Sequence, residues 1–211
     1  MPKVEINNDD QPIRLFKSEF LEFFTHISPI AVLIIWVPIV IFFLIQGISL
    51  SNQRYFFIPF AFLLGSFFWT LAEYILHRFL FHFHPRNKTQ ERIAFLFHGI
   101  HHSQPKIKTR LVMPPIVSIP LASIFWLLFT LIFNGLFGLP AWSGPIFSGF
   151  ITGYIVYDMM HYATHHFPMR NGVWKWLKRH HMQHHYKDPG LQFGVSSPLW
   201  DYVFSTMLKE K

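Results

Sequence analysis

The chain has 211 residues, no cysteine and a net charge of +7 with histidine neutral, and it is 51% hydrophobic, 19% aromatic and only 14% charged. That balance is too apolar for an ordinary soluble domain, and the missing cysteine excludes disulfides, thiolate catalysis, iron–sulfur ligation and cysteine-bound zinc. The basic excess accompanies long uncharged runs, so it points to anionic lipid headgroups and not to nucleic acid.

Residues 1–27 are polar with both charge signs; a signal peptide would be short and basic there. "SPIAVLIIWVPIVIFFLIQGISL", 28–50, carries no charge and exceeds the roughly 20 apolar residues that cross a bilayer. Pro38 is expected to kink that helix, which membrane helices tolerate. After the polar turn at 51–54, a second apolar helix is expected over 56–76, leaving the membrane near Glu73. Residues 77–110 are basic and rich in histidine. Leu111 to Tyr157 is again uncharged and too long for one crossing; "NGLFGLP" at 134–140 breaks it into a hairpin of helices at about 113–133 and 145–160. Pro114 and Pro115 suit the start of its first helix. The tail from 161 to 211 is polar, basic and histidine-rich.

Lys and Arg number three in the N-terminal segment, one in the 51–55 turn, seven in 77–110, none in 134–144 and seven in the tail. Positively charged segments stay in the cytoplasm, so the N-terminal segment, the central loop and the tail are expected on that side. Both histidine-rich segments then share one face of the membrane. The expected fold is an all-α integral membrane protein. About four transmembrane helices carry a cytoplasmic, helical, histidine-rich cap. Residues 28–211 form one domain behind the segment 1–27.

Ten histidines fall into four motifs: His77 and His82 in "HRFLFH", His98, His101 and His102 in "HGIHH", His161 and His165 in "HYATH", and His181, His184 and His185 in "HMQHH". At about 100° per residue, positions i, i+3 and i+4 share one helix face, so each H-x2-H-H triplet aims to one side. The 77/82 spacing is wider, and a purely helical path splays it. Imidazole is the commonest nitrogen ligand of iron, zinc, copper and nickel. One ion takes four to six ligands, so ten clustered histidines argue for two metals. Ligating histidines need a partner for the second ring nitrogen; Asp158 and Glu73, acids at the membrane boundary preceding His161 and His77, are expected to serve there. His26, His84, His166 and His180 fall outside the motifs. "SSPLWD" carries helix-start chemistry, with Ser197 as cap, Pro198 at the start and Asp201 in the first turn.

These motifs, following paired spans, resemble the fatty acid hydroxylase superfamily of membrane di-metal oxygenases. "EYILHRFLFHF", "FLFHGIHH" leading to "RLVMPP", "YDMMHYATHH", "LKRHHMQHH" and "FGVSSPLWDYVFST" are similar to its fatty acid 2-hydroxylase branch over roughly 56–207. The resemblance implies O2-dependent hydroxylation at C2 of a fatty acid or lipid-bound acyl chain. It implies two iron ions held by the ten histidines, zinc replacing them in an isolated sample, and an acyl tail in an apolar channel between the helices. Members often carry a cytochrome b5 domain ahead of the membrane part. Here about 27 polar residues without a heme motif precede the first span, so electrons are expected from a separate donor, cytochrome b5 or a ferredoxin with its reductase. The membrane would be the inner membrane of a bacterium or the endoplasmic reticulum of a eukaryote. A sterol-type oxidase, a desaturase or a carotenoid hydroxylase would share the same metal centre. A non-redox metal-binding protein or transporter would place histidines along the middle of the spans, and those middles carry none.

Overall fold

A computed structural model of the chain describes residues 6, 7, 9 and 11–209; among them every regular element is helical. The helices are α1 (Glu19–Phe23), α2 (Pro29–Leu50), α3 (Ile58–Ile75), α4 (Lys88–Ala94), α5 (Ile100–Ser103), α6 (Pro115–Phe129), α7 (Pro140–His166), α8 (Gly172–Tyr186) and α9 (Leu199–Val203). Three π-helical turns continue or join them: Leu76–Phe81 after α3, Phe95–Gly99 between α4 and α5, and Thr130–Leu136 after α6. The chain divides into two compact units. One comprises Ile27–Trp69 and Met113–Val156; the other holds the described residues up to His26, Thr70–Val112 and everything from Tyr157 on.

The first unit is a helical bundle. Among the described residues three helices are long and apolar enough to cross a membrane: Pro29–Leu50, Tyr55–Phe81 and Lys108–Leu136. α2 turns Ile30, Ile34, Val37, Ile41, Ile45 and Ile48 outward at helical spacing while Val32, Trp36 and Gly47 are buried. An apolar outer face is what hydrocarbon solvates without cost, and the helix continues through Pro38. α7 is different. Its 27 residues span about 40 Å at 1.5 Å per residue, but Ser143 through Ile151 are all buried and rich in glycine and serine. This helix is enclosed by its neighbours, so its sequence is less apolar than that of a lipid-facing span. It begins at Pro140, five residues before the expected boundary, with Gly138 at φ +65° making the turn.

Backbones meet closely in this bundle. A Cβ on Gly149 would lie 1.8 Å from the Phe62 carbonyl oxygen, and one on Gly65 would lie 1.9 Å from that of Ile146. Gly47 faces Pro145 and Gly153 faces the Trp69 side chain in the same way. Small residues at helix crossings supply the van der Waals contact that replaces hydrophobic driving force in lipid. Trp69 and Tyr154, 5.4 Å apart, and Phe125 and Phe150, 4.5 Å apart, fill the remaining space with tilted and edge-on rings.

The second unit gathers the polar segments. The N-terminal strap is fixed to it by Arg110, whose guanidinium donates to the Ile13 carbonyl and to Glu22 Oε1 at 2.6 Å. Glu22 Oε2 accepts the Leu15 and Phe16 amides at 2.9 and 2.8 Å. Gln104 closes the strap by accepting from the Ile13 amide and donating to the Gln11 carbonyl.

Candidate metal centre

Each histidine motif lies where a helix changes pitch or ends. The turn at Leu76–Phe81 is π-helical, and the His82 amide bonds the His77 carbonyl at 3.1 Å, a five-residue step. A π turn takes in one residue more than an α turn, so a spacing that a regular helix would splay puts both rings on one side, 5.0 Å apart. His98 lies in the second π turn and His101 and His102 in α5. His161 and His165 are one turn apart near the end of α7, and His181, His184 and His185 lie in the last turns of α8.

All ten histidines of the four motifs converge into two groups of five, and within each group the candidate ligand nitrogens lie within 4.8 Å of one another. One group is His77, His82, His98, His102 and His184; the other is His101, His161, His165, His181 and His185. Nine are buried and His165 is half-buried. The H-x2-H-H triplets are split. His98 and His102 enter the first group while His101 between them enters the second. In the later triplet His181 and His185 enter the second group and His184 enters the first. Each half of the chain therefore gives four histidines to one group and one to the other. Sixteen residues separate His82 from His98 and also His165 from His181. The two halves repeat one scheme.

The distances test whether a metal fits. Nε2 to Nε2 separations are 3.1 Å for His77–His98 and for His82–His184, 2.8 Å for His101–His161, 3.0 Å for His101–His185 and 2.9 Å for His165–His181. Two nitrogens bound at right angles to one ion, each about 2.1 Å from it, lie about 3 Å apart. His101 Nε2 faces two other ring nitrogens at once, yet it carries either one proton or one lone pair. Hydrogen bonding cannot satisfy both neighbours; a shared electrophile does. Ten nitrogen ligands with no sulfur suit iron or zinc.

Burial holds the imidazoles of His98, His101, His181, His184 and His185 well below their ordinary pKa of 6.5, and neighbouring imidazoles push the same way; burial takes His102 to about 3. At neutral pH these rings are uncharged with a lone pair to offer. The linkage has a definite sign. Below pH 6.5 the unfolded chain takes up protons that these folded rings refuse, so stability falls with falling pH, for His102 down to about 3. Each such ring contributes about 1.4 kcal/mol per pH unit of slope. The melting midpoint of the metal-free protein in detergent is expected to drop steeply between pH 7 and pH 5. A flat midpoint over that range would contradict the burial of these rings.

In the first group the second ring nitrogens of two histidines are held by backbone. His77 Nδ1 donates to the Phe193 carbonyl at 2.5 Å and His184 Nδ1 to that of Leu191 at 2.7 Å. Such bonds fix the tautomer that leaves Nε2 free to ligate. Glu73 holds a neighbouring stretch of backbone. Its carboxylate accepts the Val195 and Ser196 amides at 2.6 and 2.8 Å and the Ser196 hydroxyl. Asp158 is fully buried on α7, one turn before His161. His180 belongs to neither group: it stacks on Trp176 and donates to Asp201 at 3.2 Å. His84 is exposed, His166 is half-buried against Tyr162, and His26 bonds Thr109 Oγ1 at 2.8 Å.

Sequence reasoning gave Asp201 only a place in a helix start. It does lie in the first turn of α9, with the Ser197 hydroxyl 3.3 Å from the Leu199 amide. Its buried carboxylate, however, accepts the Phe193 and Gly194 amides, both at 2.8 Å, and the Thr206 hydroxyl at 2.7 Å. Burial alone would raise its pKa; the hydrogen bonds from His180, Thr206 and the two amides outweigh that and hold it below the usual value. An acid in an otherwise apolar "PLWDYV" was the available signal.

Comparison with known proteins agrees with this arrangement. The sequence model described as fatty acid hydroxylase matches residues 62–206. The dihydroceramide fatty acyl 2-hydroxylase of Arabidopsis thaliana is 36% identical, with 92% of this chain and 79% of that protein covered. The human fatty acid 2-hydroxylase is 36% identical over 95% of this chain, and the ceramide very long chain fatty acid hydroxylase of Saccharomyces cerevisiae 41% identical over 90%. This chain spans 58% of the human protein and 48% of the yeast one. A solved structure of full-length Scs7p, in which only the hydroxylase domain is visible, superposes with a TM-score of 0.82 at 39% identity, covering 90% of this chain and 70% of that one. The paired histidine groups, the apolar spans and a match across most of the sequence lead to one assignment: the chain belongs to the fatty acid hydroxylase family.

Proposed function

We propose that the protein hydroxylates C2 of a fatty acid or of the acyl chain of a membrane lipid, using O2 and a pair of iron ions. The observation that carries this reading is the convergence of ten histidines, nine of them buried, into two five-nitrogen groups. The names of the relatives, which act on fatty acids, dihydroceramides and ceramides, support the substrate class. His77, His82, His98, His102 and His184 would hold one ion; His101, His161, His165, His181 and His185 would hold the other, with zinc accepted equally by the same ligands. When bound, the iron pair supplies the activation of O2 and the oxidation of the C–H bond.

The chain's own part is placement, tautomer control and exclusion of water. Uncharged imidazoles would add no negative charge to offset that of bound ions, so the site would favour a substrate carboxylate nearby. The Phe193 and Leu191 carbonyls keep two of the rings in the ligating tautomer. Glu73 and Asp158 act behind the ligands, Glu73 through the backbone of Val195 and Ser196. Reducing equivalents come from a separate protein such as cytochrome b5 or a ferredoxin with its reductase. The excess of Lys and Arg in 77–110 and the tail suits an acidic donor, and the same excess supports a cytoplasmic location for the histidine site.

The test is mass spectrometry of lipids from cells expressing the chain with a reductase system, with and without O2. An O2-dependent gain of 2-hydroxy acyl chains is the expected result. A new double bond in place of the hydroxyl would overturn the assignment in favour of a desaturase.

A further inference from the structure

The segment from Leu191 to Ser196 is tied down at five consecutive backbone amides. Gln192 N–H donates to the Thr206 carbonyl at 2.9 Å. Phe193 and Gly194 donate to the two oxygens of Asp201, both at 2.8 Å, and Val195 and Ser196 donate to Glu73 Oε1 at 2.6 and 2.8 Å. Gln192 is held at φ +60°, a left-handed conformation unusual for a residue with a side chain; such conformations persist only where the surroundings over-determine them. Its side-chain amide donates to His180 Nδ1 and to Gln183 Oε1, both at 3.0 Å. Gly194 admits no replacement, since a Cβ there would lie 2.0 Å from the Ser197 carbonyl oxygen. Two buried carboxylates, from α9 and from α3, thus grip a strap of six residues.

Two of the strap's carbonyls meet histidine rings, and both rings lie in one group. Leu191 receives His184 and Phe193 receives His77, and both histidines belong to the group His77, His82, His98, His102 and His184. Resting on the metal reading above, we infer that this strap, pinned by Asp201 and Glu73, positions the ligands of one metal of the pair and not of the other. The two ions are held with unequal tightness. Asp201 and Glu73 are positioning residues that act through backbone carbonyls on His184 and His77.

The hydrogen-bond pattern separates the two acids. Asp201 presents both oxygens to backbone N–H groups, so the amide of Asp201→Asn must set its own N–H2 against a donor whichever way it turns. Glu73 receives both amides on one oxygen and the Ser196 hydroxyl on the other. Glu73→Gln keeps an oxygen for the amides and offers its N–H2 to the hydroxyl, so it preserves the strap; Glu73→Ala does not.

The full chain in detergent micelles, loaded with zinc(II), is challenged with a chromophoric chelator, and release is followed as zinc per chain. The wild type is expected to release two zinc ions in two phases. Asp201→Asn and Glu73→Ala are expected to speed one phase about 10- to 100-fold, the usual range for loss of a group supporting a ligand, and to leave the other unchanged. Glu73→Gln is expected to match the wild type. In a chain already carrying His161→Ala and His165→Ala, Asp201→Asn speeds the remaining release. If Asp201→Asn does not fold, Thr206→Val withdraws one bond from the same carboxylate and gives a smaller acceleration of the same single phase. Equal acceleration of both ions, or of neither, in folded variants overturns the inference alone. A wild-type chain that binds no zinc overturns the metal reading and the inference with it.

Discussion

His101→Ala is expected to lose one metal ion per chain and to lower acyl hydroxylation by more than about 100-fold, beyond the cost of removing a supporting residue behind a ligand. His101 Nε2 lies 2.8 Å from that of His161 and 3.0 Å from that of His185, at the middle of its group. It is also the one ligand of that group contributed by the upstream half of the chain. No neighbouring histidine replaces it, because His98 and His102 beside it are committed to the other group. His184→Ala is expected to give the reciprocal result, removing the other ion. His84→Ala, at an exposed position outside both groups, should leave metal content and product unchanged. The measurements are elemental analysis of the purified protein and quantification of 2-hydroxy acyl chains. Full activity in His101→Ala with both metals retained would sink the two-group assignment.

The second large effect is on stability. Gly149→Ala is expected to destabilise the protein by about 3 kcal/mol, the upper part of the range for inserting a methyl group into a packed core. A side chain there meets a carbonyl oxygen at 1.8 Å, and backbone has no rotamer by which to give way. Gly65→Ala makes the reciprocal collision with Ile146 and should cost a similar amount. The two act on one helix contact, so their effects are not expected to add. Gly135→Ala is the control: nothing lies within 4 Å of its Cβ position, and the midpoint should be unchanged or higher. Thermal unfolding in a single detergent compares all three.

Much of this was legible in the sequence, for reasons that differ between elements. The spans could be read because hydrocarbon excludes charge, and a soluble domain seldom keeps runs such as 28–50 or 111–157 free of it. The ten histidines could be read because their motifs repeat. Their division into two groups could not. Spacing places His98, His101 and His102 within one arc of a helix, but which neighbour faces each edge of that arc depends on chain brought back from 161–185. The π turn that aligns His77 with His82 is equally hidden, since one extra residue in a turn leaves no compositional mark. Glu73 was legible as an acid at the end of an apolar run and its partners were not: Val195 lies 122 residues away. The start of α7 moved because Pro145, inside the helix, reads in sequence as its beginning.

The exchange of one histidine between the halves has a consequence for how the protein is made. By the time His102 leaves the ribosome, four of the five histidines of the first group exist, yet the fifth, His184, arrives 82 residues later. The second group waits likewise for His181 and His185, although its earliest member, His101, was among the first histidines made. Neither group reaches its full complement until α8 has been made. Completion of either group therefore reports that α8 has folded back against the products of the first half.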